Sequence, residues 1–229
     1  MNESLLCRSA EQAFQRIHII TEGLRVEKME LQKTMDALRG KGYEVSCFQT
    51  AGEAASYLNR KIDGKTVGFG DSETLLTMKL YDLLSTHNRV IDPKHCTPGM
   101  DFWSTAKQCL TTDVFFTSVN ALAETGEMVN IDGTGNRVAG SLFGHEKVYF
   151  VVGANKLVPT LEEAVWRARN VAAPQNAARH GFQTPCAVRQ DHCYDCKSPD
   201  RICCGQMIYY QKMRFIEMEV VLIQESLGL

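Results

Sequence analysis

Between Thr112 and Lys156 three short apolar runs each stop abruptly in a polar loop, and this pattern constrains the fold more than any other stretch. Val114 to Phe116 run into Thr117, Ser118 and Asn120. The run in MVNIDGTGNR ends at Asp132, Gly133, Gly135, Asn136 and Arg137, and Val148 to Val152 run into Gly153, Asn155 and Lys156. Short runs of β-branched and aromatic residues read as buried strands, and the helical pattern of Asn136 to Phe143 predicts a strand, helix, strand unit. In open α/β sheets the residues just past the carboxyl ends of the strands face the ligand crevice. The three loops are therefore expected to meet at one edge of one sheet.

The rest of the chain alternates in the same way. Residues up to about Gly42 read as helical, with Leu24, Leu31, Met35 and Leu38 on one apolar face and Gly42 as the stop. Tyr43 to Phe48 is a strand, and Thr50 with Glu53 has the spacing of a capping box opening a helix to about Lys61. Thr66 to Phe69 is the next strand, followed at once by Gly70, Asp71, Ser72 and Glu73 and by a helix from Thr74 to about Ser85. A glycine turn before a helix offers backbone N–H groups to an anion, which makes Gly70 and Ser72 candidate ligand residues. A tight turn at Gly70 with Ser72 as helix cap explains the same residues equally well. Arg89 to Ile91 reads as a strand and Asp101 to Leu110 as a helix. Thr160 and Glu163 open a helix expected to end before Pro174, and strands at Gln206 to Tyr210 and Val220 to Ile223 close the chain. The fold class expected is α/β, an open and largely parallel sheet with helices on both faces and a cysteine-rich segment near the carboxyl end. Residues 1–26 read as a helical extension to a single domain over 27–229.

A chain of 229 residues can bury a substantial core without staples. Its net charge of −2 gives no footprint for nucleic acid, and no window is long and apolar enough to predict membrane insertion. The first residues lack the basic start and apolar core of a signal peptide, so a cytoplasmic location is expected. In that reducing compartment nine cysteines do not read as a disulfide framework.

Cys186, Cys193, Cys196 and Cys203 form a C-x6-C-x2-C-x6-C arrangement. The central pair can face one metal ion, and two outlying thiolates can complete a tetrahedral set. Four thiolates suit an iron-sulfur cluster or structural zinc, and free or redox-active thiols account for the same spacing. Cys204 reads as a bystander or substitute ligand; Cys7, Cys47, Cys96 and Cys109 are scattered. The histidines show no metal-binding pairing, and His145 and His192 read as structural or solvent-facing. No serine elbow, phosphate-binding loop or dinucleotide fingerprint is present.

In the central stretch Gly133 and Gly135 can simply turn the chain into the helix at Asn136. With Arg137 in its first turn, they also make an anion site with a permanent charge beside it. A cation there disfavours the helix unless it serves something else. Lys156 can neutralise a carboxylate or phosphate, or be a solvated surface lysine. Asn120, Asn130, Asn136 and Asn155 can hold ligand or stabilise turns.

GFGDSETL from Gly68, SVNALAETGE from Ser118, NIDGTGNRVA from Asn130, VVGANK from Val151, AAPQNA from Ala172, the cysteine segment from Thr184 and VVLIQESLGL from Val220 resemble the lactate utilisation (LUD) domain family. The resemblance runs from about Glu27 onward and implies a fold similar to the sugar-phosphate isomerase and coenzyme A transferase group (NagB/RpiA/CoA transferase-like). The chain departs from the family pattern at Asp71, Glu73, Ala123, His145 and Cys204, where glycine, methionine, threonine, proline and asparagine are usual. The two added carboxylates weigh against a phosphate in the first loop. Glu124 is a catalytic candidate by likeness to the nucleophilic glutamate of coenzyme A transferases, against the plainer reading of a solvated loop residue.

Two functional expectations follow from the resemblance. In the first, the four cysteines carry a 4Fe-4S cluster in a redox component that oxidises lactate or another small 2-hydroxy acid, working with electron-transfer protein partners. The carboxylate of that acid would lie near Arg137 and Lys156. In the second, a non-redox isomerase- or transferase-like enzyme or binding module takes a small anionic metabolite, and the cysteines hold zinc or no metal. An accessory subunit with an inactive pocket is the plainest alternative. The sequence leaves open whether the chain forms a homo-oligomer.

Overall fold

The computed structural model describes residues 31–229, so the expected extension over 1–26 and Leu24 lie outside the described residues. A six-stranded sheet is built from β1 (Glu44–Phe48), β2 (Thr66–Phe69), β3 (Arg89–Ile91), β4 (Val114–Thr117), β7 (Lys147–Gly153) and β10 (Glu217–Ile223). Its spatial order is β1-β10-β7-β4-β2-β3, and every neighbouring pair is parallel. The expected α/β fold with a parallel sheet is present.

Both faces are covered, which explains why the central strands are unbroken apolar runs rather than alternating ones. Phe116, Tyr149, Val151 and Val221 turn to one face. They pack there with Ala54 and Leu58 of α2 (Ala51–Lys61), Leu75 of α3 (Glu73–Thr77) and Leu84 of α4 (Leu80–Leu84). Phe115, Val148, Phe150, Val152 and Val220 turn to the other, against Leu38 of the helix α1 over residues 31–40. Each such side chain contributes about 1.5–3 kcal/mol when fully buried.

That second face also carries a four-stranded sheet: β5 (Ala121–Ala123), β6 (Met128–Asp132), β8 (Leu157–Val158) and β9 (Gly205–Tyr209), ordered β8-β5-β6-β9. Leu122, Met128 and Tyr209 face the large sheet. Ala121, Ala123 and Val129 face Ala164 of α7 (Leu161–Arg167) and Ala173 of α8 (Ala173–Arg179). This corrects the expectation of a single sheet edge. The strand in MVNIDGTGNR pairs with β5 and β9, both antiparallel, so its loop reaches the site from a different sheet.

Local signals explain most boundaries. Thr50 and Glu53 form both halves of a capping box, Asp101 caps α5 (Phe102–Cys109) by accepting the Ser104 N–H, and Gly42 ends α1 at φ 88°. Two expected helices differ. The one from Thr74 breaks at Lys79, which sits in the left-handed region at φ 51°. The Thr77 hydroxyl bonds back to the Glu73 carbonyl (3.0 Å) just before the break, a contact that bends helices. The other passes through Pro174 instead of stopping, because a π-helical turn at Ala168–Ala172 loosens the winding where proline has no N–H to give.

Candidate functional site

The loops after β2, β4 and β7 open on one small cleft, with about 60 Å³ of water-accessible space, and Ile131, Arg137 and α8 form its opposite wall. Gly70 leaves β2 with its N–H on the Phe116 carbonyl (2.8 Å), and a Cβ there would stand 3.0 Å from the Phe115 ring. Asp71 follows with φ 51°, and buried Ser72 caps α3 by position, makes no side-chain bond to the helix and lines the cleft. Asp71 pairs with Lys94 (3.3 Å); Glu73 pairs with Lys94 and with Arg179 on α8 (2.8 Å). The two carboxylates that set this loop apart are thus neutralised within the protein.

Lys156 sits at the centre. It ends the short 3-10 turn Ala154–Lys156 after β7 and is only 3% exposed. Its Nζ donates to Ser118 Oγ (2.9 Å) and Thr74 Oγ1 (3.0 Å). Ser118 in turn donates to the Val151 carbonyl at 2.6 Å. Among the described residues no carboxylate pairs with Lys156. Burial, with the charges of Arg167 and Arg137 nearby, brings its pKa down to about 7.

The loop after β6 is organised by Asp132. Its Oδ1 accepts the N–H groups of Thr134 (3.2 Å) and Gly135 (3.0 Å), and its Oδ2 accepts that of Val138 (3.1 Å). The chain's own carboxylate therefore holds the turn into α6 (Asn136–Leu142) and one N–H of its first turn, that of Val138, with Gly135 at φ 85° making the turn. Gly133 packs against the Ile202 carbonyl, and the Thr134 hydroxyl holds Asn136 Oδ1. Arg137, on α6, donates Nη2 to the Ile131 carbonyl, has Nε 3.9 Å from Asp132 and lines the cleft.

The asparagines divide. Asn120 lines the cleft, yet its Oδ1 accepts the Ile131 N–H (2.7 Å). Asn130 is fully buried and ties the Ser118 carbonyl to the Asn120 N–H. Asn155 Oδ1 accepts the Leu227 N–H (3.0 Å), fastening the chain beyond β10 beside the cleft. Arg167 was not foreseen. It is buried on α7 and donates to the Asn155 carbonyl (3.1 Å) and the Asn120 carbonyl, tying two site loops together. Burial lowers its pKa. Thr74, Asn176 and Arg179 were also missed as cleft residues; the AAPQNA stretch, which holds Asn176, was a signal toward that residue and not toward Arg179.

The LUD domain profile matches residues 31–223, most of the described chain. The chain belongs to the LUD domain family. A solved structure of a DUF162 family protein from Deinococcus radiodurans is similar to this LUD domain, with 14% identity and a TM-score of 0.49 over 86% of this chain and 98% of that one. No curated protein matches the sequence.

Other candidates in this LUD domain fall outside the cleft. Glu124, its N–H on the Val158 carbonyl (2.9 Å), lines a separate cavity with Leu122, Val152 and Gln224. Buried His145 binds the Thr112 carbonyl (2.6 Å) and stacks on Phe115. Cys186 is on α9 (Pro185–Arg189), and Cys193, Cys196 and Cys203 lie on the irregular chain that follows. Cys193 Sγ accepts from the Asp195 N–H (3.4 Å) and Arg169 Nη2 (3.8 Å); Cys203 Sγ accepts from Arg201 Nη2 (3.3 Å). Among the described residues no three histidine, cysteine or acidic side chains are gathered to hold a metal. As placed, the four thiols do not fit a preformed centre. Among the described residues no helix is long and apolar enough to cross a membrane.

Proposed function

We propose that this LUD domain protein binds a small carboxylate metabolite of the 2-hydroxy acid type in the cleft, with Lys156 exchanging a proton at the bound molecule. The observation that carries the reading is the environment of Lys156: a buried amine held by two hydroxyls, facing a cleft that Arg137 also lines, without a carboxylate partner among the described residues. A buried cation is costly unless paired, and a ligand carboxylate is the partner this arrangement calls for. A group titrating near neutrality can serve as acid or base under physiological conditions. Arg137 suits the carboxylate because its planar guanidinium offers paired donors. The LUD name supports lactate as the first ligand to try. Calorimetric titration of L-lactate and glycolate tests this: one site per chain is expected, with loss of at least tenfold in affinity in Arg137→Met. Absence of binding by either acid rejects it.

A redox role is the second reading, favoured by the N–H donors aimed at Cys193 and Cys203. Hydrogen bonds to the sulfurs are among the features that tune iron-sulfur centres. A 4Fe-4S cluster on Cys186, Cys193, Cys196 and Cys203, with electron-transfer protein partners, would require the segment to close further around it; zinc would make the same demand. No step at Lys156 depends on either. Anaerobic purification followed by absorption, iron, sulfide and zinc analysis decides it. Iron with acid-labile sulfide, lost on changing Cys193 and Cys196 to serine, supports the cluster; a colourless, metal-free protein rejects both metals.

A further inference from the structure

We propose that the cleft captures short 2-oxo acids covalently, Lys156 Nζ adding to the ketone carbon to form an imine while Arg137 holds the carboxylate. The inference rests on the reading of the cleft as a carboxylate site and adds to it a reaction at the lysine.

The hydrogen-bond arrangement around Nζ carries the argument. The Ser118 hydroxyl donates its hydrogen to the Val151 carbonyl (2.6 Å), and the Leu227 carbonyl takes that of Thr74 (3.3 Å). Both hydroxyl oxygens therefore act as acceptors at Lys156, and both N–H bonds of a neutral amine are placed, at 2.9 and 3.0 Å. What remains on the nitrogen is its lone pair. The Gly228 backbone closes one side so tightly that a Cβ there would stand 3.2 Å from Nζ, and the side left is the cleft that Lys156 lines. Desolvation beside Arg167 and Arg137 keeps much of the amine unprotonated at neutral pH, the usual means of activating a lysine nucleophile. A carboxylate of the protein paired with Nζ would instead have held the proton there, and among the described residues none is; the oxo acid's own carboxylate is placed on Arg137, across the cleft.

The step balances without a co-reactant. The nitrogen lone pair forms the C–N bond as the carbonyl pair moves to oxygen, giving a carbinolamine. The two amine protons leave with the former carbonyl oxygen as water, and the C=N bond forms. No atom changes its overall oxidation level, and hydrolysis reverses the capture.

The test incubates the full chain with pyruvate, adds sodium borohydride, and measures intact mass and the modified peptide. L-Lactate binding is followed in parallel by calorimetry, because a hydroxy acid has no ketone to attack. One reduced adduct per chain, mapped to Lys156 and absent in Lys156→Arg, is the expected result. Peptide mapping of the wild type locates the lysine even if that variant fails to fold. L-Lactate binding without an adduct, or adducts scattered over surface lysines, overturns the imine and leaves the carboxylate site standing. Binding of neither acid removes the site and the inference together.

Discussion

At the scale of residues, Lys156 lowers the stability of the fold in which it sits. Its folded pKa of about 7 lies below the usual 10.5, so the unfolded chain holds more protons between those values. Stability contributed at this residue therefore rises as pH rises through that window, and below it the full penalty of a buried charge applies. Lys156→Met should raise the urea midpoint at pH 6, by an amount that shrinks steadily toward pH 10. A gain that is equal at all pH values, or a loss at pH 6, contradicts the buried charge. The sequence indicated where Lys156 lies in the chain but not its burial, because the residues that enclose it, Thr74 and Ser118, come from other strand ends. Asp132 illustrates the reverse case. Its place in a glycine loop marks a ligand residue in sequence, while in the fold three backbone N–H groups occupy its carboxylate.

At the scale of elements, α6 carries Arg137 to the cleft and lies directly on β4. The contact requires Gly140: a Cβ there would fall 2.4 Å from the Phe115 ring. Gly140→Ala gains about 1 kcal/mol of helix propensity but overpacks the contact, which costs about 1–3 kcal/mol. A net loss in chemical denaturation is expected, together with weaker carboxylate binding as α6 shifts; a higher midpoint contradicts this packing. Helix caps and strand runs were readable because they are local: Thr50 with Glu53, Gly42, and the apolar runs of β4 and β7 all behave as their neighbours dictate. The passage through Pro174 was not readable, because the π-helical turn that accommodates proline is supported by α7 and α8 packing on the small sheet. The very short strands β5 and β8 escaped for a similar reason. Three and two residues carry no period, and their pairing depends on partners far along the chain.

At the scale of the whole molecule, the parallel sheet sets strand ends side by side and the small sheet brings a fourth loop across from them. The alternation of strands and helices made the first of these legible in sequence. The second depends on one sheet lying on another, which no local pattern encodes, and Arg167 and Arg179 entered the site unannounced with the helices that cover it. The central claim is that this assembly holds an anionic ligand against a lysine poised near neutrality. The most direct test is calorimetric titration of L-lactate at pH 6, 7.5 and 9, repeated at pH 7.5 in buffers of different ionisation enthalpy. Binding a carboxylate beside Lys156 favours its protonated form. The account predicts proton uptake on binding at pH 7.5, affinity that falls from pH 6 to pH 9, and loss of the proton uptake in Lys156→Met. Binding with no proton uptake and no change across that range would contradict it.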